Sequence, residues 1–330
     1  MRSNSLIFKD ATKISQADRY MLHQFSHLLI AAAQTFTHCD PLYGKCDADP
    51  ALGSVLNVNF VNDGPSASFM RTGSSTIVYD PQDGAEFTVA GSGSNPTLQS
   101  RFYIMFGKIS VVARAAPGQG IVSSIVLQSD DLDEIDIEFV GNDAHQMQTN
   151  FFSKGDTSTY DRGQYHQVGE DVTNDYHKFT IDWSPDVLKW YIDEQLLRTL
   201  HFADKPDYYP QTPMTVRLGA WAAGDPTNPE GTIQWAGGVC DYSAGPFVYN
   251  VKSINIEDYS TGTNYEYMDQ SGSWTSIRAH NGQVSANDPA QGTGSRILQN
   301  LQNIYKFTYY HCQNIITTYL LPLLTDSQCV

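Results

Sequence analysis

The chain has 330 residues, of which 41% are hydrophobic and 17% charged, and its formal net charge is −16. A charge of this sign argues against anionic partners, so no nucleic acid and no anionic membrane surface is expected as a ligand. The length suffices for one large β domain or two small ones, and the many Tyr, Phe, Gly, Ser and Thr residues favour strands and turns.

Residues 1–33 are predicted to be an N-terminal extension that ends in a secretory signal. Residues 1–20 are polar and show no hydrophobic period, whereas residues 21–33 contain a short apolar run that ends in small residues. The run is too short to span a bilayer, and its Ala-x-Ala ending predicts cleavage near Ala33. An ordinary amphipathic helix is the alternative.

Five cysteines occur in the chain. Cys39 and Cys46 enclose a loop that contains proline and glycine, which allows a small disulfide loop in an oxidising compartment. Because five is an odd number, at least one cysteine is free or pairs with another molecule. The spacings fit no zinc template, so no metal is expected.

From residue 54 to residue 259, short apolar runs alternate with turn residues. Residues 184–186 and 193–195 are predicted to be hairpin connections. Many short strands without a helical period predict a two-sheet sandwich, taken as one domain over residues 34–277. The predicted strands include residues 102–106, 108–113, 121–127, 178–183, 188–192, 214–221 and 247–256.

The segment 133–140, Asp-Glu-Ile-Asp-Ile-Glu-Phe-Val, alternates charged and apolar residues. Alternate strand residues share a face, so Glu134, Asp136 and Glu138 should point one way and the apolar residues into a core. Like charges this close raise one another's pKa, as general acid catalysis requires. An acidic exposed face or a calcium site is the alternative interpretation.

A pair of carboxyls for glycosidic bond cleavage with retention must lie about 5–5.5 Å apart. The Cα atoms of residues i and i+4 on a flat strand are roughly 13 Å apart, so strand twist and inward-leaning side chains would have to bring Glu134 and Glu138 together.

The Glu-x-Asp-x-Glu pattern resembles the catalytic signature of glycoside hydrolase family 16. Its flanks, residues 118–133, 140–143 and 148–152, resemble the Crh group of fungal cell-wall transglycosylases, which graft chitin onto β-glucan. The resemblance extends from about residue 39 to about residue 277.

This resemblance implies an all-β jelly-roll sandwich of the concanavalin/lectin-like type, with two antiparallel sheets and a concave substrate cleft. It implies that Glu134 is the nucleophile, Asp136 its orienting partner and Glu138 the acid/base. Chitin would be the donor and β-glucan or chitin the acceptor, with no cofactor. The resemblance also implies the Cys39–Cys46 pair, and we expect a secreted, monomeric protein of the cell wall.

A sugar cleft needs aromatic faces and a few fixed polar groups. Arg217 and Trp221 are four residues apart and so share a strand face, and Thr232 follows in a turn-rich segment predicted to lead into another strand. The resemblance implies that these three residues, with Glu138, contact the substrate. Core packing of Trp221 and a structural ion pair of Arg217 are the alternatives.

Several weaker candidates surround the motif. Residues 160–166 form a loop that could line the rim of the cleft, and Gln128 and Asn150 could bind sugar hydroxyls. The histidines at 145, 166 and 177 show no ligand spacing and are interpreted as surface or capping residues.

After residue 277 the strand pattern ends. Residues 278–330 are predicted to be a linker followed by an atypical apolar tail, interrupted by Pro322 and ending in polar residues. This departs from the spacer and uninterrupted apolar run of a lipid-anchor signal, which argues against membrane anchoring.

Three functional hypotheses remain. The chain is a retaining glycosidase or transglycosylase, including a plain hydrolase, or a lectin-like wall protein, or a structural wall protein without activity. Only the enzyme requires three carboxyls that face one cleft, and the sequence supplies all three.

Overall fold

The turn-separated apolar runs form 18 strands in the computed structural model, which describes residues 37–289. Every strand pair in the three sheets of this range is antiparallel. Two short helices interrupt the strands, α1 (Phe60–Asp63) and α2 (Glu230–Trp235).

A seven-stranded sheet carries the acidic segment near its centre. Its strands, in spatial order, are β11 (Gln164–Gln167), β10 (Gln146–Phe152), β9 (Glu134–Val140), β8 (Ile121–Ser129), β15 (Met214–Ala222), β6 (Thr97–Ser100) and β3 (Phe69–Arg71).

An eight-stranded sheet packs against it. Its spatial order is β14 (Gln195–His201), β13 (Val187–Ile192), β12 (His177–Trp183), β7 (Gly107–Arg114), β16 (Phe247–Asp258), β5 (Gly84–Val89) and β4 (Ile77–Asp80), with β2 (Val55–Asn59) pairing along β16. A small third sheet contains β1 (Asp49–Pro50), β17 (Asn264–Tyr267) and β18 (Ile277–His280).

The core lies between the two large sheets and receives the apolar face of β9. Ile135, Ile137 and Phe139 are at most 1% exposed, as their alternation predicts. The Phe139 ring lies 4.5 Å from that of Phe179 on the opposite sheet, measured between centroids. Burial of three large apolar side chains fixes the register of β9, because a one-residue slip would turn its carboxyls into the core.

Both predicted hairpins are confirmed. Residues 184–186 join β12 to β13, and the next connection, between β13 and β14, uses Asp193 and Glu194 at φ values of 45° and 67°. Paired residues with positive φ produce the turn that matches the twist of adjacent strands.

The strand predicted at residues 102–106 is wrong. This segment makes only the isolated bridges Ala51–Tyr103 and Ile104–Met214, and its apolar side chains on both sides of the backbone are buried. Its hydrophobicity reflects a connection that crosses the interior between the sheets, not pairing in a ladder.

Packed structure extends past residue 277, where the sequence predicted a linker. Residue 277 begins β18, and beyond that strand the Ser285 N–H donates to Ser260 Oγ over 2.8 Å. Polar residues in this stretch are held by hydrogen bonds to the loop near residue 260, which a composition-based prediction of a linker does not detect.

The disulfide between Cys39 and Cys46 is present, with 5.8 Å between the Cα atoms. Cys240 is buried and free, whereas Cys312 and Cys329 lie outside the described residues. The predicted signal at 1–33 and the tail after residue 289 also lie outside them. Over residues 37–289 we find no helix of the length and apolarity needed to cross a membrane.

Candidate active site

Strand β9 brings the three carboxyls onto one open face of the seven-stranded sheet. Glu134 and Asp136 are 5% and 3% exposed, whereas Glu138 is partly exposed. Their cross-strand neighbours on β8 are Gln128, Val126 and Ser124, and those on β10 are Phe152, Asn150 and Gln148. The three carboxyls therefore share one patch of sheet, and Glu138 is the most accessible.

Glu134 is buried but surrounded by groups that favour its anion. Gln128 donates its amide N–H to Glu134 Oε2 over 2.8 Å. Burial raises the pKa of Glu134 to about 7, against the opposing effects of a hydrogen bond from Asp136, the Arg217 charge and the Gln128 amide. Of the three carboxyls, Glu134 has the environment best suited to a negative charge.

Asp136 lies between the other two carboxyls on the same strand face. Burial, followed by the charges of Glu134 and Glu138, raises the pKa of Asp136 well above its usual range. A neutral Asp136 can donate to Glu134, which keeps that carboxylate oriented. The Trp190 indole N–H donates to the Asp136 carbonyl over 3.1 Å and fixes the strand at this point.

Glu138 is the second carboxyl that holds a proton near neutral pH. Burial and then the charge of Glu134 raise its pKa to about 8, and no hydrogen bond offsets these two effects. Of the three carboxyls, Glu134 is therefore the one that ionises most readily, because Gln128 and Arg217 favour its anion, whereas Glu138 has no such donor.

Arg217 and Trp221 extend this face along β15, as the period of two predicts. They lie opposite Val126 and Val122 of β8 and are both partly exposed. Within the described range, the Arg217 Nε and Trp221 Nε1 atoms are buried without a hydrogen-bond partner. Trp221 packs on a small apolar cluster that contains Val122 and Val140 and also lines the cleft, as Arg217 does.

The charge of Arg217 is kept near the carboxyls. Burial lowers the pKa of Arg217, while Glu134, Tyr103 and Asp130 act in the opposite direction. A partly desolvated cation near Glu134 stabilises the anion there.

The turn-rich segment after Asp225 contains the helix α2, which the sequence did not predict, and the strand predicted to follow the segment is β16. Asp225 accepts from Thr227 and Tyr242, and this turn leads through Pro229 into α2. Thr232 and Trp235 are three residues apart on α2, and the Trp235 ring stacks on Trp221 with 6.1 Å between centroids. The proline and the acidic first turn of α2 were the available sequence signals for this helix.

A cleft of about 1070 Å³ lies beside the carboxyls, toward β15 and β6. Ser124 and Val126 line it next to the triplet, and Arg217, Trp221 and Thr232 form one side. The Cys39–Cys46 loop borders it as well, which the sequence did not reveal. The three carboxyls do not line this space themselves; it reaches them through Ser124 and Val126, which pair with Glu138 and Asp136 across β8 and β9.

The loop predicted at residues 160–166 is shorter than expected, because residue 164 begins β11. Tyr160 and Tyr165 are 76% and 60% exposed, beside β10. Arg162 is buried instead, with its guanidinium over the Phe152 and Tyr208 rings and bonded to main-chain carbonyls. Arg162 therefore stabilises the loop and does not line the cleft.

The remaining weaker candidates have local partners. Gln128 is bonded to Glu134, and Asn150 accepts from the Phe151 N–H. The three histidines contact Glu170, Thr149 and Asp193. Across residues 37–289, no three His, Cys, Asp or Glu side chains are grouped so that they could hold a metal ion.

Fold and site together are those of a carbohydrate-active β-sandwich protein. The profile of Glycosyl hydrolases family 16 matches residues 66–237. The chain belongs to this family, and both the resemblance and the jelly-roll fold predicted from the sequence are confirmed.

Relatives within the family carry Crh names. Crh-like protein 2 of Botryotinia fuckeliana is 49% identical over 253 residues, which cover 76% of this chain and 56% of that protein. Crh-like protein 4 of Aspergillus fumigatus is 48% identical over 262 residues, covering 79% of this chain and 57% of the relative. The chain thus spans little more than half the length of these two proteins.

Two solved structures are similar. The Crh5 transglycosylase in complex with NAG is 49% identical, with a TM-score of 0.70 over 73% of this chain and 99% of that one. A β-glucanase of Bacillus licheniformis is 22% identical, with a TM-score of 0.52 over 62% of this chain and 99% of that one, which is a likeness of fold alone.

Proposed function

We propose that this chain is a retaining transglycosylase that cleaves chitin and transfers it to β-glucan or chitin, cross-linking the fungal cell wall. The observation that carries the proposal is the arrangement of the triplet on one strand face beside an open cleft: Glu134 receives a hydrogen bond from Gln128, whereas Glu138 has no donor that favours its anion. Retaining glycoside cleavage needs such a pair of carboxyls in opposite states.

In the first step, Glu134 attacks the anomeric carbon of the donor. The bond from that carbon to the glycosidic oxygen breaks, a bond to the Glu134 carboxylate forms, and Glu138 gives its proton to the departing oxygen. Asp136 stays protonated and orients Glu134. The products are a glycosyl ester on Glu134 and a shortened chain.

In the second step, Glu138 is a carboxylate and acts as a base. It removes a proton from an acceptor hydroxyl, which attacks the anomeric carbon while the ester bond to Glu134 breaks. Two inversions give net retention. Glu138 ends protonated, ready for the next donor.

Binding of the donor is assigned to Arg217, Trp221 and Thr232, together with Glu138. Arg217 and Trp221 both line the cleft, where the guanidinium can donate to sugar oxygens and the partly exposed Trp221 ring offers a stacking face. A related transglycosylase structure contains NAG, the repeating unit of chitin, which supports an N-acetylglucosamine donor.

Transfer competes with hydrolysis at the glycosyl-enzyme. Water is present at about 55 M, whereas a well-oriented group can reach an effective molarity of about 10⁵ M. A sugar acceptor therefore wins only when it is held in place. Exposed Tyr160 and Tyr165 beside β10 are suited to holding a second sugar chain.

Product analysis tests this function. Chitin oligomers are supplied alone and then with labelled β-glucan oligomers, and the products are measured by mass spectrometry. We expect slow hydrolysis in the first case and labelled hybrid products in the second, both absent in Glu134→Gln. Shortened chitin fragments alone, whatever the acceptor, would identify a plain hydrolase, and binding without turnover a lectin-like protein.

We further propose that residues 34–277 form the catalytic part of a monomeric protein secreted to the wall. The Cys39–Cys46 disulfide supports an oxidising location. Cell fractionation and light scattering test these points, and a cytosolic pool or a stable dimer would contradict them.

A further inference from the structure

Gln148 occupies the position on β10 directly opposite Glu138 on β9. Side chains opposite each other on antiparallel strands share a face, with Cβ atoms about 4.5–5.5 Å apart. Gln148 is 9% exposed, and its Oε1 accepts the indole N–H of Trp235 over 2.7 Å. The amide beside the proposed acid/base is thus tied to helix α2.

The Trp235 bond fixes which way this amide faces. An indole N–H can only donate, so the carbonyl oxygen of Gln148 must face Trp235 and its NH₂ group must lie on the other side. The contact made by Nε2 is to Gln146 Oε1 at 3.5 Å, the outer limit of a hydrogen bond. At least one N–H of Gln148 therefore remains available beside Glu138.

Trp235 is itself held in position. Its ring stacks on Trp221 at an interplanar angle of 30°. Both tryptophans pack on a small apolar cluster that contains Val122 and Val140, which pair across β8 and β9 next to Glu138. The indole that orients Gln148 is therefore fixed relative to the strand that carries Glu138.

In this arrangement we infer that Trp235 is a positioning residue, which holds Gln148 so that its amide donates to the carboxylate that Glu138 becomes in the glycosyl-enzyme. The inference rests on the proposed function, in which Glu138 gives up its proton in the first step and takes one back in the second. In the resting protein no hydrogen bond offsets the burial of Glu138. If the Gln148 amide donates only to the carboxylate form of Glu138, it favours loss of the proton in the first step. The hydrogen bond then breaks when Glu138 is protonated again in the second step.

The pKa of Glu138, followed by carboxyl carbon NMR on the full chain, tests this inference without requiring turnover. Trp235→Phe keeps a ring on Trp221 but removes the N–H, and Gln148→Leu removes the amide. We expect each variant to raise the pKa of Glu138 by about one unit, because the anion loses a donor. The double variant should shift the pKa of Glu138 no further than either single variant, because both changes interrupt the same Trp235–Gln148–Glu138 hydrogen-bond chain.

Trp274→Phe is the matched control, because Trp274 packs against Phe106 outside the cleft. It should leave the pKa of Glu138 unchanged. In the unaltered protein, the Trp235 indole proton resonance should move with the titration of Glu138 and stop moving in Glu138→Gln. This second readout needs neither Trp235 nor Gln148 to be replaced.

Kinetics separate positioning from binding. In Trp235→Phe, kcat for transfer should fall about tenfold while KM for the chitin donor changes less than about twofold. An unchanged Glu138 pKa in a folded Trp235→Phe variant, or an indole resonance indifferent to Glu138, would overturn the inference. Shifts of the pKa without any transfer product would instead retain the inference and reject the proposed function.

Discussion

At the residue scale, the ionisation of Glu134 depends on the donors around it. Gln128 donates to Glu134 over 2.8 Å and is almost fully buried. Burial raises the pKa of Glu134, and each hydrogen-bond donor to its carboxylate lowers that pKa again. Removal of one donor should therefore be visible in the pH dependence of the reaction.

Gln128→Leu removes this donor at similar volume. The anion of Glu134 loses a hydrogen bond, so its pKa should rise and the acid limb of kcat/KM should move upward by about one pH unit. The measurement is the pH profile of chitin cleavage. Gln119→Leu, which removes an exposed Gln-to-carbonyl bond at Val239, is the control and should leave the profile unchanged. An unmoved acid limb in Gln128→Leu would show that Gln128 does not tune Glu134.

The residue positions of the site were largely predictable, and their ionisation was not. Alternation in the segment 133–140 correctly placed Glu134, Asp136 and Glu138 on one face. Their separate environments depend on residues distant in sequence, such as Arg217 on β15 and Trp190 on β13. A linear pattern cannot supply burial or a cross-sheet hydrogen bond.

At the element scale, β15 and α2 together form one wall of the cleft. Trp221 of β15 and Trp235 of α2 stack on each other, and Thr232 lies one helical turn from Trp235. The helix was missed because its six residues are too few to show a period. The strand predicted at residues 102–106 was wrong because a buried connection between the sheets is as apolar as a strand.

Trp221→Ala tests this wall. Loss of a stacking face, worth about 0.5–1.5 kcal/mol beyond burial, should weaken chitin-oligomer binding about two- to tenfold. Because Trp221 is partly exposed but also packs on Trp235, the melting temperature should fall modestly while the domain stays folded. Calorimetric binding and thermal unfolding measure the two effects. A large fall in melting temperature with unchanged binding would instead identify Trp221 as a packing residue.

The disulfide loop forms another part of the cleft border. Cys39 and Cys46 both line it, as does Lys45 between them. Replacing both cysteines by serine should free the loop and raise KM for long chitin oligomers more than for short ones, because only long chains reach it. Cys240→Ser, which changes the buried free thiol, is the comparison variant. Equal changes in KM at every chain length would contradict this role.

At the scale of the whole molecule, buried carboxyls link stability to pH. Burial raises the pKa of Asp49 and Asp131 to about 8 and that of Asp258 to about 7, in addition to the raised values in the triplet. In the unfolded chain, the pKa of these carboxyls is about 4. At a pH between the unfolded and the folded pKa values, the folded protein binds more protons than the unfolded chain. The free energy of unfolding that these carboxyls contribute is therefore present at low pH and is lost as pH rises.

We therefore expect the melting temperature to fall between pH 5 and pH 8. Asp131→Asn should flatten this slope, because the protonated carboxyl is replaced by a neutral amide of the same shape. Asp175→Asn, at an exposed carboxyl, is the control and should leave the slope unchanged. Differential scanning calorimetry across this range provides the measurement, and a melting temperature that rises with pH would contradict the assignment of raised pKa values.

The central claim is that Glu134 forms a covalent glycosyl-enzyme which Glu138 then resolves. It is tested most directly by intact-protein mass spectrometry of Glu138→Gln with a chitin oligosaccharide whose leaving group departs without protonation. The first step then proceeds, while the second lacks its base. We predict a mass increase equal to the oligosaccharide without its leaving group, mapped to Glu134 by peptide analysis and absent in the Glu134→Gln/Glu138→Gln double variant. No adduct, or an adduct on another residue, would contradict it.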